Sequence, residues 1–382
     1  MRVLHVTPYF APAFRYGGPA QSILGLCRGL GDAGVDVSVL TTTADGDTEI
    51  PSDVVRRGEY DSVPVRYLRS CFPRRYFNAL GLSTAIRSAL ETVDVVHAHG
   101  LWSFPVWIAT RECQRAGIPF VLSPRGMLDI GSLAHHRWRK KIAYRAWERK
   151  YLRNAALLHA TSESEAESIA RLGLGPRIVC VPNGVAAPAT PPPSRFRERL
   201  GMSADVGLVV FLGRLHPIKR LDLLLAALEI VRSIQPGVRA VLAGPEDGLD
   251  ASALVRQSGG PQAVEWVGEV AADDKWSLLS EADVLVSCSD SESFGMSVVE
   301  AMAMGTPVVT TKTCPWQDLE NERAGLWVSQ NAQDIADAII SVLRSPGDAR
   351  EMGERGRALV RKRYQWVAVG QEMAAQYACV VA

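Results

Sequence analysis

Short runs of apolar and β-branched residues alternate along this 382-residue chain with longer stretches that have helical spacing. Nine such runs predict strands, at residues 2–6, 35–40, 94–98, 119–123, 177–181, 207–213, 239–244, 283–287 and 306–311. The runs are apolar at nearly every position, which is typical of parallel strands buried on both faces, with helices as crossover connections. The sequence therefore predicts an α/β fold.

A proline-rich stretch interrupts this alternation at GVAAPATPPPSR, residues 184–195. Proline restricts φ and donates no hydrogen bond, so the stretch predicts an extended connector rather than a helix or a central strand. We predict domains at 1–184 and 195–365, joined by a linker at 185–194. The last segment, 366–382, is apolar at helical spacing and is predicted to be a helix that packs back on the first domain.

Composition and charge exclude several classes of protein. The net charge is +1, so no overall basic character indicates nucleic acid. The seven cysteines are scattered without a C-x-x-C pair, which is typical of reduced thiols rather than of a disulfide framework or a zinc site. The chain opens as a strand rather than a signal peptide, and no apolar run approaches the ~18 residues that span a bilayer. We expect a cytoplasmic protein for which no metal is needed.

Two short motifs resemble ligand sites but stand in the wrong context. GLGDAG, residues 29–34, has the letters of the dinucleotide fingerprint, which requires a strand before it and a helix after it. Here the order is reversed, so we interpret it as a helix end and a turn, which disfavours a dinucleotide-dependent dehydrogenase. DGD, residues 45–47, resembles a metal-binding pair, but aspartate and glycine also favour a turn in a polar loop.

Basic residues predict an anion site in 211–228, which is predicted to be a strand, a turn and a helix. Lys219 and Arg220 fall near the first helical turn, and Arg214 lies just upstream. A helix N-terminus already carries a partial positive charge, so further cations there indicate a bound anion. The alternative is a set of solvated basic residues with Asp222 as their counter-charge.

A glycine pair after the first predicted strand marks a second candidate ligand site. Gly17 and Gly18 precede a helix with Pro19 in its first turn, and paired glycines let the backbone approach a ligand closely. The alternative is a flexible loop. In open α/β sheets ligands bind at the carboxyl ends of the strands, so two such edges facing each other would form a cleft.

Two glutamates bracket the start of a helix predicted at 296–304, with Gly305 at its end. Glu292 lies in the preceding loop and Glu300 inside the helix. Eight helical residues span about 12 Å, more than the ~5–9.5 Å between the carboxylates of a glycosidase. We therefore predict that the two carboxylates bind opposite ends of one elongated polar ligand, with free amides at the helix start binding a phosphate between them.

Taken together, these motifs resemble retaining GT-B glycosyltransferases, and more narrowly the glycosyltransferase family 4 (group 1) type. The resemblance rests on the Gly17-Gly18 loop, DVVHAHG (94–100), VPNGV (181–185), G-R-L-x3-K (213–219) and E-S-F-G-x4-E (292–300). It covers nearly the whole chain. It implies two Rossmann-like parallel-sheet domains facing each other across a cleft, with a nucleotide-diphosphate sugar as co-substrate and no metal.

The resemblance also implies roles for individual residues. The implied donor-binding set is Gly17, Gly18, Arg214, Lys219, Val267, Glu292, Phe294, Gly295 and Glu300. Glu292 would contact the donor sugar and Glu300 the ribose, while the nucleotide base would lie near 266–269. The implied catalytic set is His99, Glu292, Arg214 and Lys219. His99 would lie beside the reacting sugar, and His97 is expected on the opposite sheet face or further down the strand.

Two features are expected on the acceptor side, Arg125 and the stretch 135–153. Arg125 stands where many relatives carry a histidine, so its acceptor contact is an expectation only. The stretch 135–153 combines basic and aromatic residues, including Arg139, Lys140 and Lys141. It predicts either contact with an anionic membrane surface or a solvated helix whose aromatics pack on the first domain.

The resemblance implies a retaining hexosyltransferase that acts on a glycan acceptor, lipid-linked if the basic stretch binds the inner face of the membrane, in cell-surface polysaccharide synthesis. One alternative is a nucleotide-sugar 2-epimerase on the same fold, which needs further catalytic carboxylates and histidines. Another is a non-catalytic nucleotide-sugar-binding protein, which the intact Glu292, Glu300, Arg214 and Lys219 disfavour. No nucleic-acid partner is expected.

Overall fold

A computed structural model of the chain describes residues 1–128, 148–190, 192–193, 196–203 and 205–381. The chain divides into two compact units, of which unit 1 is Met1–Gly184 with Gln365–Ala382 and unit 2 is Val185–Tyr364. Within the described ranges, no helix is long and apolar enough to cross a membrane.

Unit 1 is built on an eight-stranded sheet with the order β10-β9-β8-β7-β1-β2-β6-β5. Its strands are β1 (Arg2–Val6), β2 (Asp36–Thr42), β5 (Glu59–Tyr60), β6 (Val63–Leu68), β7 (Val95–His99), β8 (Phe120–Ser123), β9 (Leu157–Ala160) and β10 (Arg177–Cys180). All neighbouring pairs are parallel except the short β5–β6 pair. A separate hairpin joins β3 (Ala44–Asp45) to β4 (Thr48–Glu49).

Helices cover both faces of this sheet, and an apolar core lies on each side of it. The described helices of unit 1 are Gly18–Asp32, Ser52–Arg57, Leu82–Leu90, Phe104–Ala116, Arg149–Asn154, Glu163–Ala170 and Trp366–Val381. The C-terminal helix packs on Gly18–Asp32 through glycines. A Cβ on Gly29 would lie 2.1 Å from the carbonyl oxygen of Trp366, and one on Gly370 would lie 2.1 Å from the backbone of Gly29. Only residues without a Cβ allow this approach.

Unit 2 repeats the architecture on a six-stranded, fully parallel sheet with the order β13-β12-β11-β14-β15-β16. Its strands are β11 (Leu208–Leu212), β12 (Arg239–Ala243), β13 (Val264–Gly268), β14 (Val284–Ser287), β15 (Val308–Thr311) and β16 (Leu326–Val328). Its described helices are Phe196–Arg199, Leu221–Ile234, Ala251–Gln257, Ala272–Glu281, Met296–Met304, Asp318–Asn321, Ala332–Arg344 and Pro346–Arg363. The interior strands are buried along nearly their whole length, as crossover helices on both faces require.

All nine predicted strands are confirmed, each within two residues at either end. β6 has no counterpart among the predictions because it alternates buried and exposed residues and contains Pro64. Both discounted motifs form turns: helix Gly18–Asp32 ends within GLGDAG and Gly34 takes a φ of 79°, while DGD closes the β3–β4 hairpin with Gly46 at a φ of 61°.

Candidate functional site

Unit 2 carries a lysine–glutamate pair among its predicted site residues. Lys219 ends a short 3-10 turn, Pro217–Lys219, that follows β11, and its ammonium group is ion-paired with Glu292. The hydroxyl of Ser289 donates a second hydrogen bond to the same carboxylate, at 2.8 Å. The Lys219 and Glu292 side chains are only 20% and 15% exposed. The pair therefore places a cation beside a carboxylate that can accept hydrogen bonds from hydroxyl groups, and both groups are largely shielded from solvent.

A second lysine–glutamate pair lies one helix away. Glu300, in helix Met296–Met304, is 5% exposed and accepts a hydrogen bond of 2.6 Å from Lys275 in helix Ala272–Glu281. Because a buried carboxylate without a partner is costly, Lys275 explains how a glutamate is tolerated between apolar neighbours. In the sequence, Lys275 is marked only by being the single lysine of the stretch ADDKWSLL.

Between the two glutamates, Gly295 begins helix Met296–Met304 with a φ of 88°. A Cβ there would meet the indole Nε1 of Trp316 at 2.9 Å, so both the conformation and the space call for glycine. Phe294 packs its ring on Trp316 and Tyr364 and belongs to the core. Any ligand contact at 294–295 is therefore left to backbone groups.

The three basic side chains of the predicted anion site each have an acidic partner in this structure. Arg214 is ion-paired with Asp247, and Arg220 contacts Asp222 and Asp290, each at 2.9 Å. For Arg220 this agrees with the solvated alternative. Arg214 remains 43% exposed, so its pair with Asp247 is open to solvent and to exchange with another anion.

The other predicted donor-binding residues lie at strand ends or helix starts. Val267 lies in β13 and packs partly on the core, beside Trp266, whose indole N–H donates to the carbonyl oxygen of Gly244 at 2.9 Å. In unit 1, Gly17 adopts a φ of 85° directly before the helix that begins at Gly18. The predicted helix after the glycine pair is confirmed.

His99 ends β7 in unit 1 and is buried. Its Nδ1 lies 3.3 Å from the guanidinium group of Arg125, and its Nε2 lies 2.9 Å from Nδ1 of His5. Arginine can only donate, so Nδ1 of His99 accepts and its Nε2–H donates to His5. Both ring nitrogens of His99 are thus engaged within unit 1, and the remaining N–H of His5, at Nε2, is buried with no partner among the described residues.

His97 forms a second chain of hydrogen bonds beside the first. Its ring centroid lies 4.0 Å from that of His99. Of the two expected places, the opposite sheet face is therefore wrong, and His97 lies further down the strand on the same face, because strand residues two apart share a face. Nε2 of His159 lies 2.8 Å from the carbonyl oxygen of Val181 and must donate to it. Nδ1 of His159 then accepts from His97 Nε2–H at 3.4 Å, and His97 Nδ1 accepts from the Tyr377 hydroxyl at 2.6 Å.

This assignment requires four neutral histidines. Burial, helped by the nearby Arg125 cation, lowers the pKa of His5 and His159 to about 3. Burial also lowers the pKa values of His97 and His99 well below the ordinary range. Nitrogens of His5, His97 and His99 lie within 4.8 Å of one another and could hold a metal ion. No local motif predicts this cluster, because its residues come from two strands. The Arg125 cation beside His99 opposes a divalent ion there.

Arg125 connects this histidine cluster to two predicted motifs. It adopts a φ of 55° and donates to Oδ1 of Asn183, in VPNGV, at 2.8 Å and to the Ser22 hydroxyl at 3.3 Å. The neighbouring Glu165 carboxylate accepts the Gly126 amide at 2.6 Å. Arg125 is therefore held by internal partners.

Several residues had no sequence prediction: Lys275 in unit 2, and, in unit 1, His5, Ser22, His159, Glu165 and Tyr377. The predicted acceptor-side residues Arg139, Lys140 and Lys141 lie outside the described residues.

Comparison with known proteins identifies the family. The model of glycosyl transferases group 1 matches residues 194–359, and that of the glycosyl transferase 4-like domain matches 17–184. A D-inositol 3-phosphate glycosyltransferase of Kineococcus radiotolerans is 30% identical over 337 residues, covering 80% of this chain and 75% of the relative. The GDP-mannose:cellobiosyl-diphosphopolyprenol alpha-mannosyltransferase of Komagataeibacter xylinus is 26% identical over 400 residues, covering 99% and 93%.

Solved structures agree on the fold. Anabaena HepE, crystallised with UDP and glucose, superposes with a TM-score of 0.73 at 20% identity, covering 99% of this chain and 100% of that chain. The chain belongs to the group 1 glycosyltransferases, of the family 4 type, with the GT-B fold.

Proposed function

We propose that this glycosyltransferase moves a hexose, with retention of configuration, from a nucleotide-diphosphate sugar to a glycan acceptor. The observation that carries the proposal is the pair of lysine-held glutamates in unit 2. Glu292 with Lys219 and Glu300 with Lys275 stand on either side of the helix start at Gly295. This order of carboxylate, helix start and carboxylate matches the order of sugar, diphosphate and ribose in such a donor.

In this proposal each group binds one part of the donor. Glu300 accepts hydrogen bonds from the ribose hydroxyls, Glu292 from the sugar hydroxyls, and the free amides at Gly295 bind the diphosphate. Arg214 and Lys219 neutralise the charge on the leaving diphosphate. Both cations are paired with carboxylates in this structure, so in this proposal the diphosphate replaces Asp247 and Glu292 as their partner.

The reaction that fits these groups needs no enzymic base. The acceptor hydroxyl attacks the anomeric carbon on the face from which the diphosphate leaves. The bond from that carbon to the phosphate oxygen breaks, and the acceptor proton passes to the departing phosphate. We propose that Arg214 and Lys219 supply the positive charge that a metal ion would otherwise supply, and that His99 lies beside the sugar.

We further propose a lipid-linked acceptor, used in polysaccharide synthesis at the inner face of the membrane. The Komagataeibacter xylinus relative is named for GDP-mannose and a diphosphopolyprenol-linked acceptor, while HepE was crystallised with UDP and glucose. The relatives therefore support a nucleotide-sugar donor in general. The acceptor-side residues in this proposal are Arg125, Arg139, Lys140 and Lys141.

Thermal unfolding with UDP, GDP and ADP and with their hexose derivatives tests the donor class, since a ligand that binds only the folded state raises the midpoint. We expect one nucleotide to stabilise the chain, and Glu300→Ala to lose that stabilisation while the exposed control Glu320→Ala keeps it. Transfer is then followed by NMR, where retention appears as an unchanged anomeric configuration, and EDTA is expected to leave the rate unchanged. Stabilisation by none of the nucleotides would contradict the proposal.

A further inference from the structure

One hairpin of unit 1 carries the two most exposed large apolar side chains of the described chain and a third that is less exposed. Phe72 is 90% exposed, Leu80 63% and Tyr76 43%. All three lie between β6, which ends at Leu68, and the helix that begins at Leu82. Large apolar groups this exposed are unfavourable in water, and their concentration in a dozen residues marks an interaction surface.

Backbone hydrogen bonds make this segment an ordered hairpin, hereafter the 69–80 hairpin. The amide of Leu80 donates to the carbonyl oxygen of Arg69 at 3.1 Å, and that of Cys71 donates to Asn78 at 2.8 Å. The Asn78 side chain donates to the carbonyl oxygen of Phe72 at 2.9 Å. The apolar side chains are therefore held outward by a defined backbone.

Aromatic contacts of Tyr76 and Phe77 attach the hairpin to the rest of unit 1. The ring of Phe77 lies 5.6 Å from Tyr9 and 5.5 Å from Tyr16, and Tyr76 meets Phe104 edge to face at 6.3 Å. Such aromatic pairs stabilise a fixed orientation beyond simple area burial. The tip, with Phe72, projects from a rigid support.

The charges of the hairpin are of one sign. Residues 69–80 contain Arg69, Arg74 and Arg75 and no acidic residue. Arg74 is ion-paired with Glu49 at 2.7 Å, whereas neither Arg69 nor Arg75 has an ion pair with any residue that the structure describes. Exposed aromatic and aliphatic groups flanked by unpaired arginines fit the boundary of an anionic bilayer, where apolar groups enter the acyl region and cations meet phosphates.

The hairpin also lies at the functional edge of its sheet. β6 runs parallel to β2, β2 to β1, and β1 to β7, so the hairpin leaves the sheet at the same edge as His99 at the end of β7. An element that binds the membrane here would bring that edge close to the headgroups.

We propose that the 69–80 hairpin docks unit 1 on an anionic lipid surface, with Phe72 and Leu80 entering the bilayer boundary and Arg69 and Arg75 contacting lipid phosphates. The proposal deepens the proposed function, on which it rests, because a lipid-linked acceptor must be taken from a bilayer. It differs from the expectation for 135–153, which names another segment.

Vesicle co-sedimentation of the full chain, without any sugar substrate, tests this docking separately from glycosyl transfer. The probes are vesicles of phosphatidylcholine alone and vesicles with about a third phosphatidylglycerol. We expect binding to the anionic vesicles, reduced about tenfold or more by Phe72→Ser with Leu80→Ser. The matched control is Ile234→Ser with Val367→Ser, which changes two apolar residues that are 48% and 45% exposed and should leave binding unchanged.

A second readout locates the contact. Anionic vesicles should slow backbone hydrogen exchange in peptides that cover the 69–80 hairpin, and Arg69→Gln with Arg75→Gln should weaken binding and its dependence on salt. Unchanged vesicle binding by the serine variant, or protection confined to 135–147, would overturn the proposal. So would a serine variant that changes only the oligomeric state in light scattering, because the hairpin would then be a contact between copies. If the serine variant loses binding but donor stabilisation fails, the docking stands and the proposed function does not.

Discussion

The hydroxyl of Tyr377 lies 2.6 Å from Nδ1 of His97, a hydrogen bond between residues 280 positions apart. It joins the C-terminal helix to the strand that ends at His99. Because His159 donates to a carbonyl oxygen and accepts from His97, the tyrosine must act as the donor. The C-terminal helix therefore sets the tautomer of a buried histidine as well as covering the sheet.

Tyr377→Phe should leave Nδ1 of His97 buried without a donor. We expect the free energy of unfolding in urea to fall by about 1–3 kcal/mol, the cost of an unsatisfied buried polar group. Side-chain ¹⁵N shifts should also show a changed tautomer population for His97, which a mere loss of packing would not cause. Tyr76→Phe, at an exposed position, is the control for stability. An unchanged tautomer population would show that the hydroxyl does not determine it.

The neutral histidine cluster should make stability depend on pH. In the unfolded chain these side chains titrate near pH 6.5, whereas burial lowers the folded pKa of His5 and His159 to about 3. Below about pH 6.5 the unfolded state therefore binds more protons, and stability falls as pH falls, by up to about 1.4 kcal/mol per pH unit for each histidine. Urea midpoints between pH 7.5 and 5 measure this dependence. A flat profile over that range would contradict the neutral assignment.

Removing Lys275 from the buried Lys275–Glu300 pair of unit 2 should lower the stability of the fold. Lys275→Met leaves the Glu300 carboxylate buried and unpaired, and we expect a loss of about 3–5 kcal/mol in the free energy of unfolding. Lys275→Met combined with Glu300→Leu should recover most of that loss, since no charge is then buried. Lys362→Met, on an exposed helix face, is the control. Additive losses in the double variant would indicate that the two side chains do not interact.

Lys219, of the Lys219–Glu292 pair, should contribute to turnover. Lys219→Ala removes a cation proposed to stabilise the leaving diphosphate, and we expect kcat to fall by about 10²–10³. Lys362→Ala, again exposed, should keep normal turnover. Initial rates of nucleotide release with saturating donor measure the effect. Near-normal turnover in Lys219→Ala would remove that lysine from the mechanism.

Much of the fold followed from local patterns. The nine predicted strands and the helix Met296–Met304 with its left-handed Gly305 are visible in the sequence, because mostly apolar runs and helix-ending glycines leave short-range signals. The short buried strand β9 was not among the nine predicted runs. β6 had no such signal, since it is half exposed and contains a proline.

The candidate site residues also divide into those that local patterns identify and those that they do not. Sequence alone determined that Glu292 and Glu300 flank a helix start and that Lys219 follows a strand, because these relations are a few residues long. Only the tertiary structure decided that Lys275 neutralises Glu300, that Asp290 pairs with Arg220, and that Tyr377 donates to His97. These partners come from separate elements, and which buried polar groups meet is fixed by strand order and helix packing, which no local pattern encodes.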